Sequence, residues 1–153
     1  MAVHVIIGDL LNAKEAIIGH QVNCQGVMGS GIAKVLRERY NTLYPSYKQY
    51  CDQHQSPDEL LGKCHIVKEG STHIANLFGQ LDYGRQKGRV YTNYEALRTS
   101  LTTLREYAVQ NHLSVALPYG IGCGLANGDW NVASEILEEV FADYDVILYK
   151  LEG

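Results

Sequence analysis

Two glycine-rich stretches constrain this chain more than any other feature of its sequence. The first, residues 23–31, is NCQGVMGSG, and the second, residues 118–125, is PYGIGCGL. Each follows an apolar run typical of a buried strand, and each leads toward an amphipathic helical pattern. Glycines let the backbone approach a ligand closely, and free N–H groups at a helix start favour an anion. The pair therefore predicts an α/β fold that binds a ligand with linked phosphates.

The hydrophobic pattern predicts the element order β-β-α-α-β-β-α-β-α-β, which gives a mixed sheet with helices on both faces. The predicted strands are residues 3–7, 16–22, 64–67, 74–78, 115–117 and 146–151. The predicted helices are residues 32–40, residues 45–55, one opened by the capping box Thr92-x-x-Glu95, and one that Asp129 caps. A chain of 153 residues is expected to form one domain. In such sheets ligands bind at the carboxyl ends of the strands, where both glycine loops should lie.

The charge balance limits the kinds of partner. The formal net charge is −4 and no dense cluster of Lys and Arg is present, which disfavours binding of duplex nucleic acid. The basic segment 85–89 is interpreted as a solvated turn. Residues 118–127 contain neither Lys nor Arg, so an anion there is expected to bind backbone N–H groups.

Cysteine spacing and the lengths of apolar runs set further expectations. The four cysteines form no C-x-x-C pair and no metal-like spacing with the six histidines, so we expect reduced thiols and neither a metal nor a cofactor. No apolar run approaches the roughly 20 residues of a membrane span, and the first residues lack a signal-peptide pattern. These features favour a cytoplasmic protein. Neither G-x-G-x-x-G nor G-x-x-x-x-G-K-[ST] is present, which argues against a Rossmann domain and a P-loop NTPase.

With these motifs the chain resembles a macrodomain, the α/β module that binds ADP-ribose, over nearly its whole length. The segments that carry the resemblance are Gly8-Asp9-Leu10, the strand end His20-Gln21-Val22-Asn23, residues 26–33 and residues 120–125. The combination of GVMGSGIA with IGCGL is similar to one branch of the family. That branch contains the terminal ADP-ribose glycohydrolases, the antitoxin macrodomains that remove ADP-ribose from DNA, and the yeast ADP-ribose-1''-phosphate phosphatase. The resemblance implies a three-layer α/β/α sandwich with a six-stranded mixed sheet, as a single macrodomain over residues 1–153.

The resemblance also implies which residues contact ADP-ribose. Asp9 would accept a hydrogen bond from the adenine amino group, the first glycine loop would surround the distal ribose and a phosphate, and the second would bind the pyrophosphate. The implied ligand-binding residues are Asp9, Leu10, Asn23, Gly26, Met28, Gly29, Ser30, Gly31, Tyr119, Gly120, Ile121, Gly122, Cys123, Gly124 and Leu125. Tyr83 and Tyr119 are candidate aromatic walls of the site.

Two positions depart from the pattern of this branch. The terminal glycohydrolases use a lysine just after the strand that corresponds to residues 74–78, and here that position falls near Gln80. They also carry an aspartate after the IGCGL segment, where this chain has Ala126. Catalysis is therefore expected from other groups. The candidates are Asn23 to hold the ribose, Gln80, and Asp82 to activate water.

Two further side chains have competing interpretations. His20 could act as a base, but strand alternation places it on the opposite face from Asn23, which favours a core histidine. Cys123 lies in the second glycine loop, where N–H groups could lower its pKa. No partnered base is visible beside it, which favours a packing role.

Three functions from different classes are compatible with these residues. The first is a hydrolase acting on an ADP-ribosyl group attached to a protein, a nucleic acid or a metabolite. The second is a non-catalytic reader or scavenger of ADP-ribose. The third is a nucleic-acid-binding domain, which the acidic charge balance disfavours. The oligomeric state is left open.

Overall fold

One mixed sheet of six strands organises the computed structural model, which describes residues 2–152. The strands are β1 (Val3–Ile7), β2 (Ile17–Asn23), β3 (Cys64–Glu69), β4 (Thr72–Gln80), β5 (Val115–Pro118) and β6 (Val146–Lys150). The helices are α1 (Gly31–Arg39), α2 (Leu43–Asp52), α3 (Tyr94–Asn111) and α4 (Trp130–Val140). Within the described chain, no helix is both long and apolar enough to cross a membrane.

The strands lie in the order β1-β6-β5-β2-β4-β3. Five of them are parallel, and only β3 at the edge runs antiparallel to its neighbour β4. The predicted element order and mixed sheet are therefore confirmed. Because the parallel strands point the same way, the loops that follow β5, β2 and β4 all leave one edge of the sheet side by side.

Alternate side chains of the central strands enter two separate cores. Ile17 and Leu77 pack on one face with the apolar side of α3 and α4, whereas Ile18 and Phe78 pack on the other face with α1 and α2. Burial on both faces explains why apolar residues occur at successive positions such as Ile17-Ile18 and Leu77-Phe78. The three-layer α/β/α sandwich is confirmed.

The helix caps differ from the sequence prediction at one place. The predicted capping box at Thr92 is wrong: Asn93 is the N-cap of α3, and its side chain accepts a hydrogen bond from the Ala96 N–H at 3.0 Å. Thr92 forms a β-bridge with Gln80 instead. Asp129 caps α4 as predicted, because its carboxylate accepts from the Asn131 N–H at 2.9 Å.

His20 belongs to a cluster of polar side chains on the sheet face that α2 covers. Its side chain is fully buried, with Nε2 2.7 Å from Oδ1 of Asn76, whose amide nitrogen lies 3.2 Å from Nδ1 of His65. The His65 ring stacks on Tyr50 with ring centroids 4.2 Å apart. Burial lowers the pKa of His20 to about 4, against a smaller opposing effect of the hydrogen bond to Asn76. The interpretation of His20 as a core histidine is confirmed.

The protonation of His20 predicts acid sensitivity of the fold. An unfolded chain takes up this proton near pH 6.5, whereas the folded protein does so only near its lowered pKa of about 4. The free energy of unfolding should therefore fall as the pH drops from about 6.5 to about 4, by up to about 3 kcal/mol in total. His65, whose pKa is also lowered by burial, adds to the same slope. Urea unfolding at several pH values measures the effect.

Matched variants identify the residue responsible. His20→Gln should reduce the pH dependence to the part contributed by His65, whereas His112→Asn, at the exposed end of α3, should leave it unchanged. NMR titration of the wild-type imidazoles provides a second measurement that needs no variant. A His20 ring that titrates near pH 6.5 in the folded protein would contradict this assignment.

Candidate functional site

A cleft of about 680 Å³ opens at the carboxyl ends of β5, β2 and β4. Three loops line it: residues 27–33 after β2, residues 118–122 and 124–126 after β5, and residues 83–85 after β4. Its floor contains residues 21–23 and Gln80. The two glycine loops thus face each other across one cleft, and the loop after β4 supplies a third wall.

The Asn23 side chain holds the first glycine loop together. Its Nδ2 donates to the Val27 carbonyl at 2.8 Å, and its Oδ1 accepts from the Gln25 N–H at 2.9 Å. The hydroxyl of the buried Tyr47 lies 2.7 Å from the Asn23 carbonyl and 3.0 Å from its Oδ1. Asn23 lines the cleft but is only 8% exposed. The structure therefore adds a loop-ordering role to the ribose contact that the sequence predicts.

Helix α1 begins in this loop and presents its first turn to the cleft. Gly31, Ile32 and Ala33 all line the cleft, and N–H groups of a first turn have no acceptor within their own helix. Ser30 is the N-cap, but its side chain makes no capping hydrogen bond. Helices α3 and α4 are capped by Asn93 and Asp129. The helix end that opens on the cleft thus keeps donors that suit an anion.

The second glycine loop is held through the carbonyl of Gly122. This oxygen accepts from the Gly128 N–H at 2.9 Å and from the Thr92 hydroxyl at 2.6 Å. No residue of the described chain accepts a hydrogen bond from the N–H groups of Gly120, Gly122 or Gly124. Gly122 has a φ of +78°, and an added Cβ would come within 3.2 Å of the Thr92 and Gln21 side chains. The loop is therefore ordered while its donors stay available.

Gln21 connects this loop to the end of β4. Its Nε2 donates to Thr92 Oγ1 at 3.0 Å and to Gln80 Oε1 at 2.9 Å, and its own Oε1 is buried without a partner in the described residues. Sequence analysis missed both Gln21 and Thr92. Gln21 lies two residues before Asn23 in β2, and that alternation was an available signal. Thr92 gave no signal, because its local pattern matched a helix cap.

Two predicted catalytic residues lie at the end of β4. Gln80 lies on the cleft floor, where its Nε2 donates to the Asp82 carbonyl at 2.8 Å. The Asp82 carboxylate is not part of the cleft wall, and it lies 3.6 Å from the guanidinium of Arg89. The structure therefore brings Gln80 into the cleft together with Asn23, but it does not bring the carboxylate of Asp82 there.

The other predicted site residues divide into two groups. Those that line the cleft are Met28, Gly29, Ser30, Gly31, Tyr83, Tyr119, Gly120, Ile121, Gly122, Gly124 and Leu125. Those that lie outside its lining are Asp9, Leu10, Gly26 and Cys123. Asp9 follows β1, and its Oδ1 accepts from the Leu11 N–H at 3.0 Å. Leu10 is buried in the core, and the α-carbon of Gly26 faces the Lys48 side chain.

The thiols of the protein are not activated. Burial raises the pKa of Cys123, and the carboxylate of Asp129 raises it further. Burial likewise raises the pKa of Cys24 to about 12. All four cysteines are free. Among residues 2–152, no group of three or more His, Cys, Asp or Glu side chains is placed to hold a metal ion.

Comparison with known proteins identifies a family for this chain. A family model described as "Macro domain" matches residues 20–137. The macrodomain of Mycobacterium tuberculosis DarG has a TM-score of 0.81 and 26% identity, with 96% of each chain covered.

Two curated relatives have names that state an activity. The DNA ADP-ribosyl glycohydrolase of Mycobacterium tuberculosis is 30% identical over 153 residues, which cover 95% of this chain and 41% of the relative. The ADP-ribose 1''-phosphate phosphatase of Meyerozyma guilliermondii is 24% identical over 159 residues, covering 88% of this chain and 91% of the relative. The chain thus spans about two fifths of the length of the mycobacterial relative.

The raised thiol pKa values predict slow alkylation. Cys123 should react with iodoacetamide more slowly than free cysteine near pH 7.5, and faster as the pH approaches its raised pKa, because only the thiolate is nucleophilic. Mass spectrometry of the peptides measures the rate for each cysteine. The buried Cys24 is the internal control and should react only on unfolding. Rapid alkylation of Cys123 near neutral pH would instead support an activated thiol.

Proposed function

The chain belongs to the macrodomain family, and from this premise we propose that its cleft binds ADP-ribose and that the protein hydrolyses ADP-ribosyl derivatives. The observation that carries the proposal is the pair of ordered glycine loops with available N–H donors on two sides of one cleft. Such donors suit the linked phosphates of ADP-ribose. Both curated relatives described above are named for activities on ADP-ribosyl compounds.

The strand order supports one orientation of the ligand. Asp9 follows β1, the second glycine loop follows β5, the first follows β2, and Gln80 ends β4. Four interstrand steps separate β1 from β4, or about 19 Å. In the proposed orientation the adenine lies toward Asp9, the pyrophosphate lies between the glycine loops, and the distal ribose lies over Asn23 and Gln80.

The side chains available at the ribose end restrict the mechanism. Among the described residues that line the cleft there is no Lys, His, Asp or Glu. A lysine adduct is therefore not the proposed route. We propose that water attacks the distal ribose carbon as its bond to the leaving group breaks, with the attacking geometry fixed by Asn23 and Gln80. The proton of the water passes to the departing group, so the products are ADP-ribose and the protonated leaving group. Backbone N–H groups and the α1 terminus would stabilise the developing negative charge.

The same lack of a titratable base favours a second candidate function. A domain that holds ADP-ribose without cleaving it needs only the donors and the cleft shape. A non-catalytic reader or scavenger is therefore the alternative, and turnover distinguishes the two.

Binding of free ADP-ribose is the first test. Calorimetry should detect binding in the presence of a metal chelator, because the donors are backbone N–H groups. Gly122→Glu should abolish it by placing a bulky carboxylate beside Thr92 in the second loop. Gly70→Glu is the matched control, because Gly70 also has a positive φ of +62° but lies in an open turn between β3 and β4. If a folded Gly122→Glu variant binds ADP-ribose with normal affinity, the pyrophosphate does not bind to this loop.

Turnover of a substrate panel is the second test. The panel contains ADP-ribosylated protein, ADP-ribosylated DNA, ADP-ribose 1''-phosphate and O-acetyl-ADP-ribose. Asn23→Ala should lower kcat by about a hundredfold or more while ADP-ribose still binds, because the pyrophosphate and adenine contacts lie elsewhere. Tyr47→Phe is the control for loop order, because it removes a hydroxyl that contacts Asn23 and leaves the amide in place.

The outcomes separate the two candidates. Equal losses in Asn23→Ala and Tyr47→Phe would show that Asn23 acts through loop order alone. A wild-type protein that binds ADP-ribose but turns over nothing in the panel would be a reader.

A further inference from the structure

We propose that Arg85 binds a phosphate on the leaving group of the substrate, so that the protein prefers ADP-ribosyl phosphate esters to uncharged adducts. This inference rests on the proposed function, because it assigns the group attached to the distal ribose. The sequence pattern had suggested only a solvated turn at this position.

The loop after β4 is built to a fixed shape. Gly84 has a φ of +156°, and a Cβ there would lie 2.5 Å from the Tyr91 hydroxyl, so a larger residue would not fit. The same hydroxyl accepts from the Gln86 N–H at 3.1 Å. Tyr91 is 8% exposed, and its own N–H donates to the Ala126 carbonyl at 2.8 Å. The buried tyrosine thus fixes the turn that brings residues 83–85 to the cleft wall.

Arg85 is the single charged side chain among the described residues that line the cleft. The neighbouring Arg89 is already engaged, because its guanidinium pairs with Asp82 and lies over the Tyr91 ring at 4.5 Å. Arg85 forms no ion pair with any carboxylate of residues 2–152. A guanidinium presents paired donors that match a phosphate group. In a protein of net charge −4, an arginine in the loop that lines the cleft, without an ion-pair partner among residues 2–152, favours an anionic ligand.

The loop that carries Arg85 starts at the strand end assigned to the ribose in the proposed orientation. Gln80 ends β4, and the loop that follows runs toward the second glycine loop, where the Tyr91 N–H donates to the Ala126 carbonyl at 2.8 Å. In the proposed orientation the ribose lies at the β4 end, so a group attached to the ribose extends toward Arg85. We assign Arg85 to a phosphate on that attached group, because the backbone N–H donors of the two glycine loops are available to the pyrophosphate.

Two sources of such a phosphate are distinguishable. One is a phosphate on the distal ribose itself, and the other is the phosphodiester backbone of an ADP-ribosylated nucleic acid. Their shared chemistry is a phosphate ester next to the distal ribose. The DNA ADP-ribosyl glycohydrolase is named for a nucleic-acid substrate, and the ADP-ribose 1''-phosphate phosphatase for a phosphate on ADP-ribose itself.

The test compares ligands with and without this phosphate. Calorimetry of the wild-type protein with ADP-ribose and with ADP-ribose 1''-phosphate gives one pair of affinities. An ADP-ribosylated oligonucleotide and an ADP-ribosylated peptide without acidic residues give the second pair. For any ligand that is turned over, kcat/KM replaces the dissociation constant.

The wild-type protein should favour the phosphate-bearing member of at least one pair by about ten- to a hundredfold. Arg85→Ala should remove that preference and leave the affinity for ADP-ribose within about twofold, since the pyrophosphate contacts are backbone N–H groups. Lys87→Ala is the matched control. It removes the same charge two residues away, from a position outside the cleft lining, and should keep the preference. The pair that shows the Arg85-dependent preference identifies the source.

Two results would overturn the inference. The first is a wild-type protein that binds ADP-ribose but shows no phosphate preference in either pair. The second is an Arg85→Ala variant that loses ADP-ribose affinity as strongly as phosphate-ester affinity, which would place Arg85 on the pyrophosphate. Failure of the wild-type protein to bind any member of the panel would instead contradict the proposed function itself.

Discussion

The cleft depends on loops that are held by their carbonyl groups. Asn23 fixes the first loop through the Val27 carbonyl, and Thr92 with the Gly128 N–H fixes the second through the Gly122 carbonyl. Backbone groups near a protein core normally pair their N–H and C=O alike. Here the carbonyls are satisfied internally while neighbouring N–H groups are left for a ligand. The second loop can be ordered and still offer donors because, within the described chain, the carbonyl of Gly122 is held while the N–H groups of Gly120, Gly122 and Gly124 are not.

The fold was predictable because its signals are local and repeated. Burial on both faces favours apolar residues on both sides of β2 and β4, and the Asp129 cap could be predicted from residue type alone. The site was less predictable, because its side chains act on partners far away in sequence. Thr92 matched a helix cap, yet it serves Gly122, 30 residues later. Asp82 resembled a free carboxylate, and its partner Arg89 could not be identified from spacing.

The cleft also separates recognition from chemistry. Most of its donors are peptide N–H groups, which are insensitive to side-chain substitution. The ribose end of the proposed orientation carries the amides of Asn23 and Gln80, and no Lys, His, Asp or Glu is among the described residues that line the cleft. In the proposed function, different loops determine ligand binding and reaction, so the ligand can stay the same while the reaction changes. The loop after β4 contributes Arg85, the single charged residue among the described residues that line the cleft.

The buried anchors Tyr47 and Tyr91 have a kinetic consequence. The Tyr47 hydroxyl contacts the carbonyl and the side-chain amide of Asn23, at the start of the first glycine loop. The Tyr91 hydroxyl accepts from the Gln86 N–H in the loop after β4. A cleft ordered before the ligand arrives loses little conformational entropy on binding. Association should then proceed without a slow closing step, and closely related ligands should differ mainly in their residence times. We therefore expect the selectivity of this protein to depend mainly on the dissociation rate of each ligand.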